Sequence, residues 1–433
     1  MPPVRSVAGM RDLLPADMAT WNLLFRGASE LCEQRGYLPI ITPVLEHTEV
    51  FAHGVGAATD IVEKEMYTFE DKGGRSLSLR PEATASAVRA YFEGGLNQGP
   101  QPTRLWYEGP MFRYDRPQKG RYRSFRQFGI EAIGDEAPEL DAEVIELAWS
   151  WLRQSGLDDF TLEVNSIGDY RCRPAYRELL RDYYRPHVGE LCDNDRRRFE
   201  TNPMRLLDCK VPGCQPYQAA APKIIDNLCE ECAVHHQRLL AALDAMEISY
   251  NANPTMVRGL DYYTRTAFEF WDPGIGGQQN ALGGGGRYDG LAEVLGFPST
   301  AGVGFAMGED RLVLALQERG QGGAEPRPEV SIIPAAEGST LAAIRLATSL
   351  RAAGRTVVVQ WGARSLKAQM RQAEKRGVRW VLILGEEELA SEEVTLRAMA
   401  GGNQERVSQR LVVPRISEMA RSEGSPVGGW APA

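Results

Sequence analysis

Residues 112–134 read FRYDRPQKGRYRSFRQFGIEAIG, and this stretch decides the fold. Its flanks are strand-like. Leu105 to Tyr107 and Met111 to Phe112 lead in, and Phe125, Phe128 and Ile130 resume the same apolar, aromatic character. Pro117 and Gly120 are turn residues in the loop between them. The spacing predicts two antiparallel strands joined by a basic hairpin. Arg113, Arg116, Lys119, Arg121, Arg123 and Arg126 lie in that loop and its edges, opposed within the stretch by Asp115. Arg presents a planar fork that matches phosphate oxygens, although charge runs are also common on solvated surfaces. Gln127 and Glu131 alternate with Phe128 and Ile130, so both fall on one sheet face. Polar groups inside a sheet are costly unless paired, and a bound substrate would pair them.

FRxD, a basic loop and RSFRQFGIE resemble the second signature motif of class II aminoacyl-tRNA synthetases. The stretch is similar in particular to the histidyl-tRNA synthetase family. The resemblance implies an antiparallel catalytic sheet with flanking helices, a helical insertion and a C-terminal α/β anticodon-binding domain. It implies ATP as a substrate, with Mg2+, L-histidine as the amino acid and tRNA(His) as the acceptor. Arg113 would then grip the α-phosphate and Arg121 the β/γ-phosphates, and Phe125 would stack on adenine. Gln127 would meet the substrate carboxylate and Glu131 an imidazole N–H. Arg116, Gln118, Lys119 and Arg123 would touch the tRNA acceptor end.

Outward from the hairpin, the 433 residues suffice for two or three domains, and 43% apolar with 25% charged residues is ordinary for a globular protein. No run of eighteen apolar residues exists and MPPVRSVAGMRDLLP lacks an apolar signal core, so neither a membrane span nor secretion is expected. Seven cysteines without a regular even framework point to a reducing cytoplasm. A net charge of −9 argues against indiscriminate nucleic-acid binding but leaves room for local basic patches.

Trp21, Leu24, Phe25, Ala28, Leu31 and Cys32 recur at helical spacing after Pro15, and Gly36 ends the helix. Tyr37 to Ile41 then reads as strand before Thr42-Pro43. Helix, strand and Pro resemble the first class II motif, which in the family builds a homodimer interface. Met66–Phe69 and Leu77–Leu79 flank the turn Asp71-Lys72-Gly73-Gly74. Arg80-Pro81-Glu82-Ala83-Thr84 follows and matches the family's RPE-x-T segment, placing Glu82, Ala83 and Thr84 at the amino-acid pocket. A carboxylate beside a hydroxyl suits an α-ammonium group. The same residues also read as a helix start.

Ala142–Leu152 reads as helix and Thr161–Val164 as strand. From 169 to 246 the chain turns helical and charged, which predicts an insertion; in the family one lies over the tRNA acceptor arm. It holds Cys172, Cys192, Cys209, Cys214, Cys229 and Cys232. Cys229-x-x-Cys232 has ligand spacing, and Cys209 with Cys214 could complete a four-cysteine zinc site. The wider first spacing and the two cysteines left over favour reduced, packed thiols instead.

RGLDYYTRTAFE, residues 258–269, matches the family's own histidine motif. It implies catalytic roles for Arg258, bridging substrate carboxylate and α-phosphate, and for Arg113. Charge placed where the reacting oxygens are negative is oxyanion-type stabilisation. Tyr262 and Tyr263 would line the histidine pocket, with Tyr263 on an imidazole nitrogen. Two polar partners on opposite sides of a ring reject substrates that leave them unpaired. GGGGRYDG, residues 283–290, ordinarily means a flexible loop. It lacks the GK[ST] element of a P-loop and matches the family's second histidine motif, with Tyr288 at the pocket. GVGFAMGEDRL, residues 302–312, resembles the third class II motif, which puts Arg311 on the γ-phosphate and over adenine. Asp115 and Asp310 stand where the family usually has Glu.

Residues 319–328 read as a linker rich in Gly, Pro and charge. Beyond it, Val330–Ile333, Thr356–Trp361 and Trp380–Leu384 alternate with helical Ser339–Ala352 and Ser365–Gly377, predicting a parallel-rich α/β domain over 329–420. Arg364, Lys367, Arg371, Lys375, Arg376 and Arg379 form one basic element, and 421–433 reads as a disordered tail. The catalytic domain is thus expected over 1–168 and 247–318. The regulatory subunit of ATP phosphoribosyltransferase shares the catalytic fold. In that family the RGLDYY stretch is degraded and the C-terminal domain absent, whereas both are present here.

Overall fold

Strands Thr103–Phe112 and Ser124–Ile133 pair antiparallel along their whole length, from Thr103 opposite Ile133 to Phe112 opposite Ser124. This is the expected hairpin, and it organises an eight-stranded sheet. The computed structural model describes residues 3–56, 59, 61–257, 259–274, 280–325, 327–362 and 365–422. From one edge the sheet runs Leu38–Pro39, Thr103–Phe112, Ser124–Ile133, Gly302–Gly308, Ala281–Arg287, Thr264–Trp271, Thr161–Ser166, Asn251–Ala252. The outermost pair at each edge is parallel and the inner pairs are antiparallel.

The two faces of this sheet differ in what their side chains can do. Trp106, Phe128, Ile130 and Ala132 point to one face, where they join the main core. Helices Pro15–Gln34, Pro138–Gln154, Glu230–Ala245 and Glu309–Glu318 cover it with Trp21, Leu24, Trp151, Leu239 and Leu312. Trp151 also donates its indole N–H to the Leu24 carbonyl at 3.1 Å. Each such large apolar side chain contributes roughly 1.5–3 kcal/mol on burial.

Cross-strand partners share a face, so register places Gln127, Gly129 and Glu131 together with Gly304, Ala306 and Gly308 on the opposite side. Gly284 and Gly286 continue that surface across the next strand. Glycine and alanine leave a hollow where other sheets carry bulk. GGGG is therefore not a loop but part of the central strand Ala281–Arg287, hydrogen-bonded on both sides. A Cβ at Gly283 would press on the Met307 backbone at 2.7 Å, so close strand packing demands glycine there.

A second expectation also changes. The predicted strand Tyr37–Ile41 shortens to Leu38–Pro39, which pairs with Leu105–Trp106. Pro39 has no N–H to extend a ladder, which confines it to an edge. Ile41 is left 92% exposed. Nearby, Leu45–His47, Ser76–Leu79 and Tyr67–Glu70 form a small antiparallel sheet. Asp71 caps its turn by accepting from the Gly73 and Arg75 N–H groups.

The chain divides into two compact units after Ala324. The second contains a five-stranded sheet in the order Val357–Val359, Val330–Pro334, Trp380–Leu384, Glu393–Ala398, Gln404–Ser408. The first three strands are parallel and the last two antiparallel. Helices Thr340–Ala352 and Leu366–Lys375 lie near their expected spans, and Val412–Ser422 closes the core with Val412, Ile416 and Ala420. Of the basic element, Arg364 lies outside the described residues, as does 423–433 of the expected tail; Lys367, Arg371, Lys375 and Arg376 are exposed. Among the described residues no helix is long and apolar enough to cross a membrane.

Candidate active site

The glycine-floored face opens into a cavity of about 470 Å³. Its wall includes nine residues expected from the sequence: Glu82, Thr84, Arg113, Arg121, Phe125, Gln127, Tyr262, Tyr263 and Arg311.

Glu82 serves both roles read from its motif. Its carboxylate accepts from the Thr84 N–H at 2.7 Å and the Ala85 N–H at 3.0 Å, where helix Thr84–Glu93 begins, and it also faces the cavity. Burial raises its pKa. Arg80 of the same motif is structural: its buried guanidinium donates to Thr42 O, Thr42 Oγ1 and Pro110 O. Ala83 packs beside Tyr107 and Met111, behind the wall.

Glu131 and Tyr288 also sit behind the wall, fully buried. The Tyr288 hydroxyl donates to Glu131 Oε2 at 2.5 Å, and that of Tyr107 to Oε1 at 3.2 Å. Burial pushes the Glu131 carboxyl up to about 8, against the hydroxyls of Tyr288, Thr84 and Tyr107 that favour its charged form. Glycines clear the space. A Cβ at Gly304 would strike the Glu131 carboxylate, one at Gly302 the Tyr288 ring, and one at Gly129 the Tyr107 hydroxyl. Tyr262 packs between Tyr263 and Tyr288, with ring centroids 4.6 and 6.0 Å away.

Across the cavity three guanidinium groups converge. Arg113 donates to Pro81 O at 2.9 Å and lies over the Phe125 ring at 5.3 Å. Arg311 donates to Ala281 O at 2.6 Å. Burial lowers its pKa first, and the charges of Arg121 and Arg113 lower it further. Like charges gathered in a part-buried pocket repel one another until an anion enters.

Acids within and outside the basic hairpin pair with much of its charge. Arg121 pairs with Asp115 and with Glu65 at 3.6 Å, Arg126 pairs with Glu108, and Lys119 with Glu318 at 2.7 Å. Arg123 lies over Tyr114 at 3.9 Å. Arg116, Gln118, Lys119 and Arg123 are therefore loop residues beside the cavity, not on its wall. Asp310 accepts from Arg11 at 2.8 Å and from the Arg126 N–H at 3.1 Å, fixing the approach of Arg311. Arg258 lies outside the described residues.

Sequence reasoning missed several wall residues. Glu65 and Tyr122 arrive from separate segments, Glu269 and Trp271 from strand Thr264–Trp271, and Arg205, Asp208 and Lys210 from the insertion. It also missed Arg287, fully buried and bonded to Asp141 at 2.5 Å, with His235 on the same carboxylate at 2.8 Å. This network anchors the end of the glycine strand. The alternative weighed from spacing, a quartet of Cys209, Cys214, Cys229 and Cys232, is not how the cysteines group. Cys229 and Cys232 gather with Asp169 and Cys172, whereas Cys209 and Cys214 gather with Cys192 and Asp195. Short spacing showed each pair, but the partner of each pair is set by how the helices fold back.

Comparison with known proteins agrees with this geometry. The family model described as histidyl-tRNA synthetase matches residues 9–172 and 215–312, and one described as an anticodon binding domain matches 329–419. A histidine–tRNA ligase of Desulforudis audaxviator is 51% identical, over 95% of this chain and 98% of that protein. One of Pelotomaculum thermopropionicum is 49% identical, over 95% and 96%. The solved apo histidyl-tRNA synthetase of S. aureus superposes with a TM-score of 0.81 at 36% identity, covering 95% of this chain and 99% of that one. With a matching catalytic model over more than half its length and relatives about half identical over 95% of it, the chain belongs to the histidyl-tRNA synthetase family.

Proposed function

We propose that this cavity joins L-histidine to ATP and then to tRNA(His). The observation that carries the reading is the division of one cavity into an ammonium- and imidazole-matching side and a cationic side. Glu82 and Thr84 receive the α-ammonium group, and Gln127 meets the carboxylate. Tyr263 takes an imidazole nitrogen, and the buried Glu131–Tyr288 pair backs that side of the pocket from behind its wall. Arg113, Arg121 and Arg311 receive the triphosphate, whose charge relieves their mutual repulsion.

In the first step a histidine carboxylate oxygen attacks the α-phosphorus. The bond to the bridging oxygen breaks, and diphosphate leaves with the electron pair. Arg113, with Arg258 assigned by its motif, stabilises the charge that builds on the α-phosphoryl oxygens. In the second step a hydroxyl of the terminal tRNA ribose attacks the histidyl carbonyl, and AMP leaves. Alignment and electrostatics do this work without an enzyme nucleophile. Glu269 on the wall would offer a hard oxygen ligand to Mg2+ accompanying ATP.

Loop residues Arg116 to Arg123 meet the acceptor end, and the exposed Lys367, Arg371, Lys375 and Arg376 offer the C-terminal unit a phosphate-binding face. A homodimer is supported by exposed apolar side chains in the first-motif region, Leu38, Ile41, Val44 and Leu45. Seven free cysteines fit a reducing cytoplasm. The test is charging of a tRNA(His) transcript with labelled histidine. Acid-stable, alkali-labile label on tRNA(His), but not on a tRNA of other identity, supports the reading; histidine binding with no transfer opposes it.

A further inference from the structure

We propose that the insertion holds two structural zinc ions, each bound by three cysteines and one aspartate: Asp169, Cys172, Cys229 and Cys232 at one site, and Cys192, Asp195, Cys209 and Cys214 at the other. In both groups the ligand atoms lie within 4.8 Å of one another. Of the seven cysteines only Cys32 belongs to neither.

The distances fit the ion. Zinc binds thiolate sulfur at about 2.3 Å and carboxylate oxygen at about 2.0 Å, so a tetrahedral site separates two sulfurs by about 3.8 Å and a sulfur from an oxygen by about 3.5 Å. Cys172 and Cys232 are 3.9 Å apart at sulfur, and Cys192 and Cys209 3.8 Å. Asp169 Oδ1 lies 3.5 Å from the Cys172 sulfur and 3.9 Å from that of Cys229. A disulfide requires about 2.05 Å. Sulfurs gathered at twice that distance, in threes and with a carboxylate, match a metal shell better than a redox pair.

The spacing supports the same conclusion. Each site draws on two short-range pairs: Asp169-x-x-Cys172 with Cys229-x-x-Cys232, and Cys192-x-x-Asp195 with the Cys209 to Cys214 turn. Paired ligands two to four residues apart are the usual build of structural zinc sites. The aspartates are the unusual members, and they are buried, 4% exposed at Asp169 and 1% at Asp195. Asp169 turns Oδ1 to the thiols while its Oδ2 lies 3.9 Å from Arg265, and Asp195 Oδ2 lacks a hydrogen-bond partner among the described residues. A buried carboxylate in that condition is costly unless something else binds it, and a divalent cation would supply the missing partner.

Position suggests what the ions do. The first site ties the chain leaving strand Thr161–Ser166 to the start of helix Glu230–Ala245, so it closes the base of the insertion. The second fastens the short helical turns around Cys209, whose neighbours Asp208 and Lys210 lie on the cavity wall. Four protein ligands leave no open position, which is the mark of a structural site.

The test is elemental analysis of the full-length protein, purified without chelator and desalted. About two zinc ions per chain are expected. Cys229→Ser and Cys209→Ser should each remove about one, and the double variant both. Titrating the wild type with a mercurial reagent should release both ions as the six thiols react, which needs no variant to fold. Cobalt(II) substitution should give the intense thiolate-to-metal absorption of tetrahedral sites. A metal-free protein whose seven thiols all react at once with a disulfide reagent would overturn the proposal, as would recovery of iron in place of zinc or of disulfides among these cysteines.

Discussion

Tyr288 donates its hydroxyl to Glu131 at 2.5 Å, and neither side chain reaches solvent. The pair joins the GGGGRYDG segment to the second class II motif, and it sets the charge state of the imidazole side of the cavity.

That charge state is pH-dependent. The folded pKa of Glu131, about 8, is raised above the ordinary carboxylate value, so between roughly pH 4.5 and 8 the folded chain holds a proton that the unfolded chain has lost. Stability without ligand should therefore fall as pH rises through that window and level off above it. Glu131→Gln keeps the shape and removes the titration. Its stability should match the wild type near pH 4.5 and exceed it near pH 8, by on the order of a few kcal/mol. Thermal unfolding across pH checks this; parallel curves for the two proteins would contradict it.

The glycine floor is equally specific. Gly304→Ala puts a methyl group against the Glu131 carboxylate and the Ile130 carbonyl. Overpacking of this sort costs about 1–3 kcal/mol. Calorimetric histidine titration should show affinity reduced at least tenfold, while Gly308→Ala, with open space around its Cβ, should bind normally.

Arg113 is placed to act on the α-phosphoryl group. Arg113→Lys keeps the charge but loses the fork. Rapid-quench measurement of adenylate formation should show a rate lower by about 100-fold or more, in line with loss of an oxyanion donor, with histidine affinity little changed. Loss of histidine affinity with the rate unchanged would instead assign Arg113 to ground-state binding.

Arg287 tests the scaffold under the site. Arg287→Met leaves Asp141 buried beside His235 without its guanidinium partner. Removing one member of a buried pair costs about 3–5 kcal/mol. Denaturant unfolding should show a loss of that order, and Asp141→Asn added to Arg287→Met should recover part of it.

What was legible in the sequence was whatever short-range pattern controls. The alternation of Gln127, Phe128, Ile130 and Glu131 correctly separated a core face from a polar face. The helical spacing after Pro15 found a helix that ends at Gln34. Glycines 283–286 misled because a glycine run has the composition of a loop, while the need for glycine arose from neighbours across the sheet, Met307 and Gly304. The acids that neutralise the basic hairpin, Glu65, Glu108 and Glu318, are distant in sequence and carry no local sign of their partners. The cysteine groupings are hidden in the same way: Cys172 and Cys232 meet across sixty residues.

The central claim is that this cavity activates histidine. Its most direct test is histidine-dependent exchange of labelled diphosphate into ATP, without tRNA, in the wild type and in Arg258→Ala. The account predicts exchange with histidine and with no other amino acid, falling by about 100-fold or more in the variant. Histidine binding with no exchange for any amino acid would contradict it, because that is how a non-catalytic histidine sensor behaves.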